Sequence, residues 1–317
     1  MKNTPLLLLV ILIGFCASCK KVIVPAVETI AYEIVSLDSV LLIGEVTNES
    51  DGAVTKRGFY WGTNPTLALT DSSSEDGNGP GVFTHTIGSF ILGQEYFFRS
   101  YVVDVNGTEY GETLSFKVEL NPVTGTMTDS RDGKIYATVE INNQTWMAGN
   151  LAFLPSVSPS SEGSPTAPYY YVYGFEGNSV TDATATPNFN TYGVLYNWDA
   201  AKIACPSGWH LPTDAEWSKL ASYLGNSAGA ILKEADTTHW KSPNTEATNA
   251  SRFTALPAGG RFIKGGYFTL GYYGLFWTAT EVEAPNAWYR LLSYNSAGVR
   301  RDFDDRATGF PIRCLKD

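Results

Sequence analysis

Ala204-Cys205-Pro206-Ser207-Gly208-Trp209-His210-Leu211-Pro212-Thr213-Asp214-Ala215-Glu216-Trp217 gathers a thiol, an imidazole and two carboxylates into one short stretch. Two readings compete for it. In the first, Cys205 and His210 form a nucleophile and its base. In the second, the stretch opens a helix. Thr213 is a good N-cap, and Glu216 three residues on completes a capping box. Pro212 keeps the chain before it extended. Trp217, Leu220, Ala221 and Leu224 fall at i, i+3, i+4 and i+7, a single apolar stripe. Gly225 is placed to end the helix. Asp214 and Glu216 then lie at a helix N-terminus, where the dipole favours carboxylates. The helix accounts for both acids without chemistry and leaves Cys205 to be explained.

The N-terminus bears on the cysteine. Met1 to Lys21 carries one Lys near its start and an apolar run from Leu6 to Phe15. That run is too short to span a bilayer and suits the core of a signal peptide. Ala17 and Ser18 followed by Cys19 resemble a bacterial lipobox, although Cys16 stands where Leu or Val is commoner. On this pattern residues 1–19 are a lipoprotein signal ending at the lipidated Cys19, and residues 20–27 are a tether. The alternative is an ordinary secretory signal cut nearby. Cys16 leaves with the signal, so Cys205 and Cys314 remain in the mature body. Outside the cytoplasm two leftover cysteines usually pair. The expected location is the bacterial cell envelope, as an outer-membrane lipoprotein facing the periplasm or the cell surface. Lys20-Lys21 follows the cysteine, where an acidic run marks some surface-displayed lipoproteins.

A chain of 317 residues predicts two or three domains, and 44% hydrophobic content predicts packed ones. Net charge is −10, which argues against nucleic acid, whose phosphates need a basic face. Residues 28–119 read as short strands between turns. Val40 to Val46 is nearly continuous and apolar, Thr55 to Gly62 is a second strand, and Glu95 to Val103 is a long third. Thr47 to Gly52, Asp76 to Gly81 and Asn106-Gly107 are turns or loops. Thr113 to Val118 closes the module. Leu92-Gly93-Gln94-Glu95-Tyr96 resembles the tyrosine corner of fibronectin type III-like sandwiches, which implies an all-β sandwich of fibronectin III/Ig-like type acting as a spacer.

The texture changes over residues 126–317. Gly133 to Ile141 alternates, turns at Asn142-Asn143 and returns through Gln144 to Met147, a hairpin. Residues 154–190 are rich in Ser, Pro, Thr and Gly and read as a long irregular segment. Tyr192 to Ala201 opens a short helix that reaches Cys205. Several blocks in order resemble the Fibrobacter succinogenes major paralogous domain. They include Gln144 to Leu151, Leu195 to Trp198, Cys205 to Thr213, Phe253 to Arg261, Phe276 to Glu281 and Gly309 to Cys314. The resemblance implies an α+β fold similar to C-type lectin-like domains and to formylglycine-generating sulfatase-modifying enzymes, and a place in the envelope. It supplies no reaction. It also implies a disulfide, since such folds commonly tie a helix region to the final strand.

These residues imply non-enzymatic binding or adhesion, with a glycan or an envelope protein as ligand. The alternatives are an enzyme on the sulfatase-modifying scaffold and a structural part of an envelope assembly. The formylglycine-generating relatives oxidise with a pair of cysteines, and here the one such pair is expected to be structural. A free thiolate is hard to keep in an oxidising compartment. No cofactor is expected. His85, His210 and His239 lack zinc spacing. Asp302, Asp304 and Asp305 are weak metal candidates without the spacing of a known calcium loop. Aromatic residues crowd a glycine-broken region, and Tyr267, Tyr272, Tyr273, Trp277, Trp288 and Tyr289 are the candidate ligand-binding residues.

Overall fold

The computed structural model describes residues 24–48 and 53–317. The signal, the tether's first residues and Cys19 lie outside the described residues. The described chain is predominantly β, and none of its helices is long and apolar enough to cross a membrane. It divides into two compact units. One takes in Leu42–His85, Tyr96–Ser115 and the chain up to Ala31. The other takes in Tyr32–Leu41, Thr86–Glu95 and Phe116–Asp317.

The N-terminal strands are β1 (Ala26–Ser36), β2 (Ser39–Asn48), β3 (Lys56–Gly62), β4 (Ser72–Ser73), β5 (Gly81–Gly88), β6 (Glu95–Asp104), β7 (Gly107–Tyr110) and β8 (Leu114–Lys117). One sheet has the order β1-β2-β5 and another β4-β3-β6-β7, with β8 also paired to β6. Along β2 buried positions alternate through Val40, Leu42, Gly44 and Val46, as a strand with one inward face requires. Gly44 is needed there because a Cβ would stand 2.9 Å from the Phe83 ring. Phe59 meets Phe83 at 4.9 Å and Phe98 at 6.4 Å. Before β6, Gly93 turns at φ 80° and donates its N–H to Val118. The Tyr101 hydroxyl donates to the Ser74 carbonyl at 2.7 Å.

The C-terminal part opens with β9 (Val123–Thr128), β10 (Ile135–Ile141) and β11 (Gln144–Met147). Asn142 and Asn143 both take positive φ, the backbone a two-residue hairpin needs, and Ile141 faces Gln144. There follow β12 (Tyr170–Tyr171), α1 (Val180–Thr184), α2 (Pro187–Tyr192), β13 (Leu195–Tyr196), α3 (Trp198–Ala204), β14 (Trp209–His210), α4 (Asp214–Leu224) and α5 (Ala228–Leu232). The chain ends in β15 (Gly260–Arg261), β16 (Tyr267–Phe268), β17 (Tyr273–Glu281), β18 (Asn286–Ser293), β19 (Val299–Asp305) and β20 (Leu315–Lys316). A five-stranded sheet runs β14-β20-β11-β10-β9, and a three-stranded sheet runs β17-β18-β19.

Two expectations are revised. The segment 154–190 carries β12 and two short helices capped by Ser179 and Thr186. The helix read from Tyr192 breaks instead at Gly193, at φ 73°, where a Cβ would meet the Leu151 carbonyl at 2.7 Å. It restarts at Trp198 because buried Asn197 caps it, accepting from the Ala200 N–H. Asn197 also donates to Ser164 and Ala167, so it fixes the irregular segment as well.

Buried loops leave carbonyls that need donors. Three buried cations supply them. Arg261 reaches Ser160, Glu162 and Ala307, and Arg313 reaches Met147, Phe253 and Thr254. Lys233, fully buried, reaches Thr245, Ser293 and Ser296. Each also lies over an aromatic ring: Tyr171, Phe253 and Trp240 in turn.

Candidate functional site

The opening stretch is structural. Thr213 and Glu216 form the capping box, and Gly225 caps the other end of α4. Trp217, Leu220 and Leu224 are buried while Ala221 is half-buried. Trp217 packs on Trp146 at 4.8 Å and on Phe276 at 5.6 Å. Asp214 is held by Arg290 at 2.6 Å and Arg301 at 2.8 Å. Cys205 is bonded to Cys314, with Cα atoms 5.8 Å apart. The ring nitrogens of His210 lie 2.7 Å from Asp317 and 3.0 Å from Glu216. Partial burial opposes its protonation, but these two carboxylates outweigh that and raise its pKa. Thiol and imidazole are therefore both engaged elsewhere.

The sheet β17-β18-β19 collects most of the predicted aromatics and separates them. Trp277 is fully buried and donates its indole N–H to the Tyr196 carbonyl. Tyr289 is buried too, packed on Phe310 at 4.8 Å, and burial with Asp302 and Asp304 nearby pushes its phenol up to about 12. The expectation that these two face a ligand is corrected, because both rings are buried under Phe310, although the register puts them on the same sheet face as Tyr273 and Leu291. Tyr267 is half-buried and donates to Phe175. Trp288 lies under Arg301 at 3.4 Å and edge-on to Phe303. Tyr272 is exposed, edge-on to Tyr294 at 5.2 Å. Tyr273, of the six, lines a pocket.

That pocket holds about 280 Å³. Strand register builds it. Tyr273 faces Ser293, and Leu291 faces both Leu275 and Arg300. With a period of two, Tyr273, Leu291, Ser293 and Arg300 share one face of the sheet. Leu291 is its apolar floor, and the loop Tyr294–Gly298 closes the end with Asn295 and Ser296.

The loop is tied from behind. Lys233 donates to the carbonyls of Ser293 at 2.9 Å and Ser296 at 3.0 Å. The Thr245 N–H reaches the Tyr294 carbonyl, and the Ala230 N–H reaches that of Ala297. Gly229 lets α5 approach, since a Cβ there would stand 2.2 Å from the Gly298 carbonyl. The carbonyls of Ser293, Tyr294, Ser296 and Ala297 are thus held from behind, while Ser293, Asn295 and Ser296 line the pocket. The Ser293 hydroxyl donates to Asn295 Oδ1 at 2.6 Å and orients that amide. Sequence reasoning missed Ser293, Asn295, Ser296, Arg300 and the supporting Lys233. The polar run Ser293-Tyr294-Asn295-Ser296-Ala297-Gly298 before a charged strand was the available signal.

The three aspartates are used locally. Asp302 accepts from Arg300 and the Phe303 N–H, Asp304 from the Asp305 N–H and Thr308, and Asp305 from the Ala307 N–H. Among the described residues no group of three or more His, Cys, Asp or Glu is placed to hold a metal ion.

These features define a mostly β domain, clamped by one disulfide and carrying a small polar pocket on a tied loop. The family model of the Fibrobacter succinogenes major domain matches residues 139–316, more than half of the chain, and the chain belongs to that family. No curated protein matches it. A solved structure of the twitchin kinase region from C. elegans (Fn31-NL-kin-CRD-Ig26) is 12% identical with a TM-score of 0.21. The match covers 64% of this chain and 35% of that one, and so slight a likeness says nothing of fold or function.

Proposed function

We propose that this chain is an envelope lipoprotein that binds a glycan without chemistry. The ligand site lies in a C-terminal domain of C-type lectin-like, α+β kind, and an N-terminal fibronectin III-like sandwich serves as spacer. Lipid on Cys19 anchors it to the outer membrane. The lipobox-like Ala17-Ser18-Cys19 supports the anchor. The observation that carries the binding reading is the pocket beside Tyr273, whose lining side chains sit on backbone already held in place. Such preorganisation lowers the ordering cost of binding. Sugars suit a site with one aromatic wall and several convergent hydrogen-bonding groups.

The test is a glycan array and an envelope-protein pull-down with the soluble chain from residue 20, which omits the lipidated Cys19. The expected result is glycan binding that Asn295→Ala together with Arg300→Ala weakens at least tenfold, with unchanged thermal unfolding. Binding that ignores both substitutions, or capture of an envelope protein alone, refutes it. The enzymatic alternative requires Cys205 and Cys314 as thiols, and their bond removes both nucleophiles. Titration of the native oxidised protein should find neither.

A further inference from the structure

We infer that the pocket selects uncharged, polyhydroxylated ligands, neutral saccharides, over their carboxylate-bearing counterparts. This rests on the binding reading above and names its ligand class. Arg300 is the one charged residue lining the pocket. It is already paired: its Nη2 lies 3.0 Å from Asp302 Oδ2, two positions along the same strand and on the same face. The other lining groups, Tyr273, Ser293, Asn295 and Ser296, are uncharged.

Donors and acceptors are interspersed in this lining. Asn295 spends its Oδ1 on Ser293, which leaves its Nδ2 end as a donor. Ser296 accepts from the Gly298 N–H and keeps its own hydrogen to give. Arg300 offers further N–H groups, and the Tyr273 hydroxyl can both give and accept. A sugar hydroxyl donates and accepts at once and so matches such a surface. A carboxylate only accepts. To reach Arg300 it must displace Asp302 or lie beside it, in a chain of net charge −10. Asp302 therefore acts against the acidic ligand, as a repulsive element that sets specificity.

Asp302 is the switch, and the Arg300–Asp302 pair is exposed enough that its loss costs the fold little. The test pairs each neutral oligosaccharide with its uronic-acid counterpart, for example galactotetraose with tetragalacturonate. It uses the same soluble chain, at low and at physiological salt. Wild type should bind the neutral member at least tenfold more tightly, with little salt dependence. Asp302→Asn should raise affinity for the acidic member at least tenfold and make it salt-sensitive, while the neutral member changes less than threefold. Wild type that binds the acid as well as the neutral sugar overturns the inference but leaves the binding reading standing. Binding of neither member, or binding that Asn295→Ala and Arg300→Ala leave intact, overturns both.

Discussion

At the scale of the residue, Lys233 has the largest consequence. It is fully buried, has no carboxylate among its hydrogen-bond partners, and holds three carbonyls of two loops. Burial lowers its pKa from 10.5 to about 8. Between those values the unfolded chain keeps a proton that the folded chain has released. Stability therefore rises with pH across that window, and the gain is lost as pH falls through about 8. Lys233→Met should flatten the slope. It should also cost about 1–3 kcal/mol at pH 7, because the three carbonyls lose their donor. Urea unfolding at pH 7, 8.5 and 10 measures both effects, and a mutant with the wild-type slope would show that another group sets it. Nothing in the sequence marks Lys233 from the other lysines. Its role depends on loops that arrive from residues 245 and 293–296.

At the scale of the element, α4 was legible from sequence because its signals are local. A capping box, a stripe at 3.6 spacing and a terminal glycine all act within one turn of themselves. Thr213→Ala removes the side-chain acceptor for the Glu216 N–H and should cost about 1 kcal/mol. A change below about 0.3 kcal/mol in a chemical melt would mean that the tertiary contacts of Asp214 hold the helix start unaided. The short α5 could not be read in this way. Its N-cap makes no side-chain bond, and its sequence Ala228-Gly229-Ala230 is set by the approach of the loop behind it. Gly229→Ala places a Cβ against the Gly298 carbonyl, so the loop must shift. The expected cost is about 1–3 kcal/mol, as for overpacking elsewhere, with a loss of glycan affinity larger than Thr213→Ala causes. Equal affinities for the two variants would detach the loop from the site.

At the scale of the whole molecule, tyrosine burial sets the alkaline limit of stability. The sequence showed an aromatic-rich chain and a crowded region of rings, but burial depends on what packs over each part of a sheet face, as Phe310 does over Trp277 and Tyr289. Residues such as Trp277 and Tyr289 thus looked available when they are core. The same burial gives a measurable consequence. It pushes Tyr171 and Tyr289 up to about 12, and holds Tyr136, Tyr196 and Tyr267 above their ordinary value as well. An unfolded tyrosine ionises at about 10. Above that pH the unfolded state sheds protons that the folded state retains, so stability falls as pH climbs from about 10 towards 12. Below pH 10 the full contribution is present. Lys233 works in the opposite direction between about 8 and 10.5, so stability should peak near pH 9–10 and then drop steeply. The disulfide sets the scale against which the drop is seen, since closing a separation of 109 residues contributes about 4–5 kcal/mol in the chain-entropy model. In a titration above pH 10, tyrosinate absorbance from the buried rings should rise together with the loss of near-ultraviolet circular dichroism, in one cooperative step. Tyrosinate that forms well before the dichroism is lost would mean that these hydroxyls ionise inside the intact fold, and that burial does not hold them neutral.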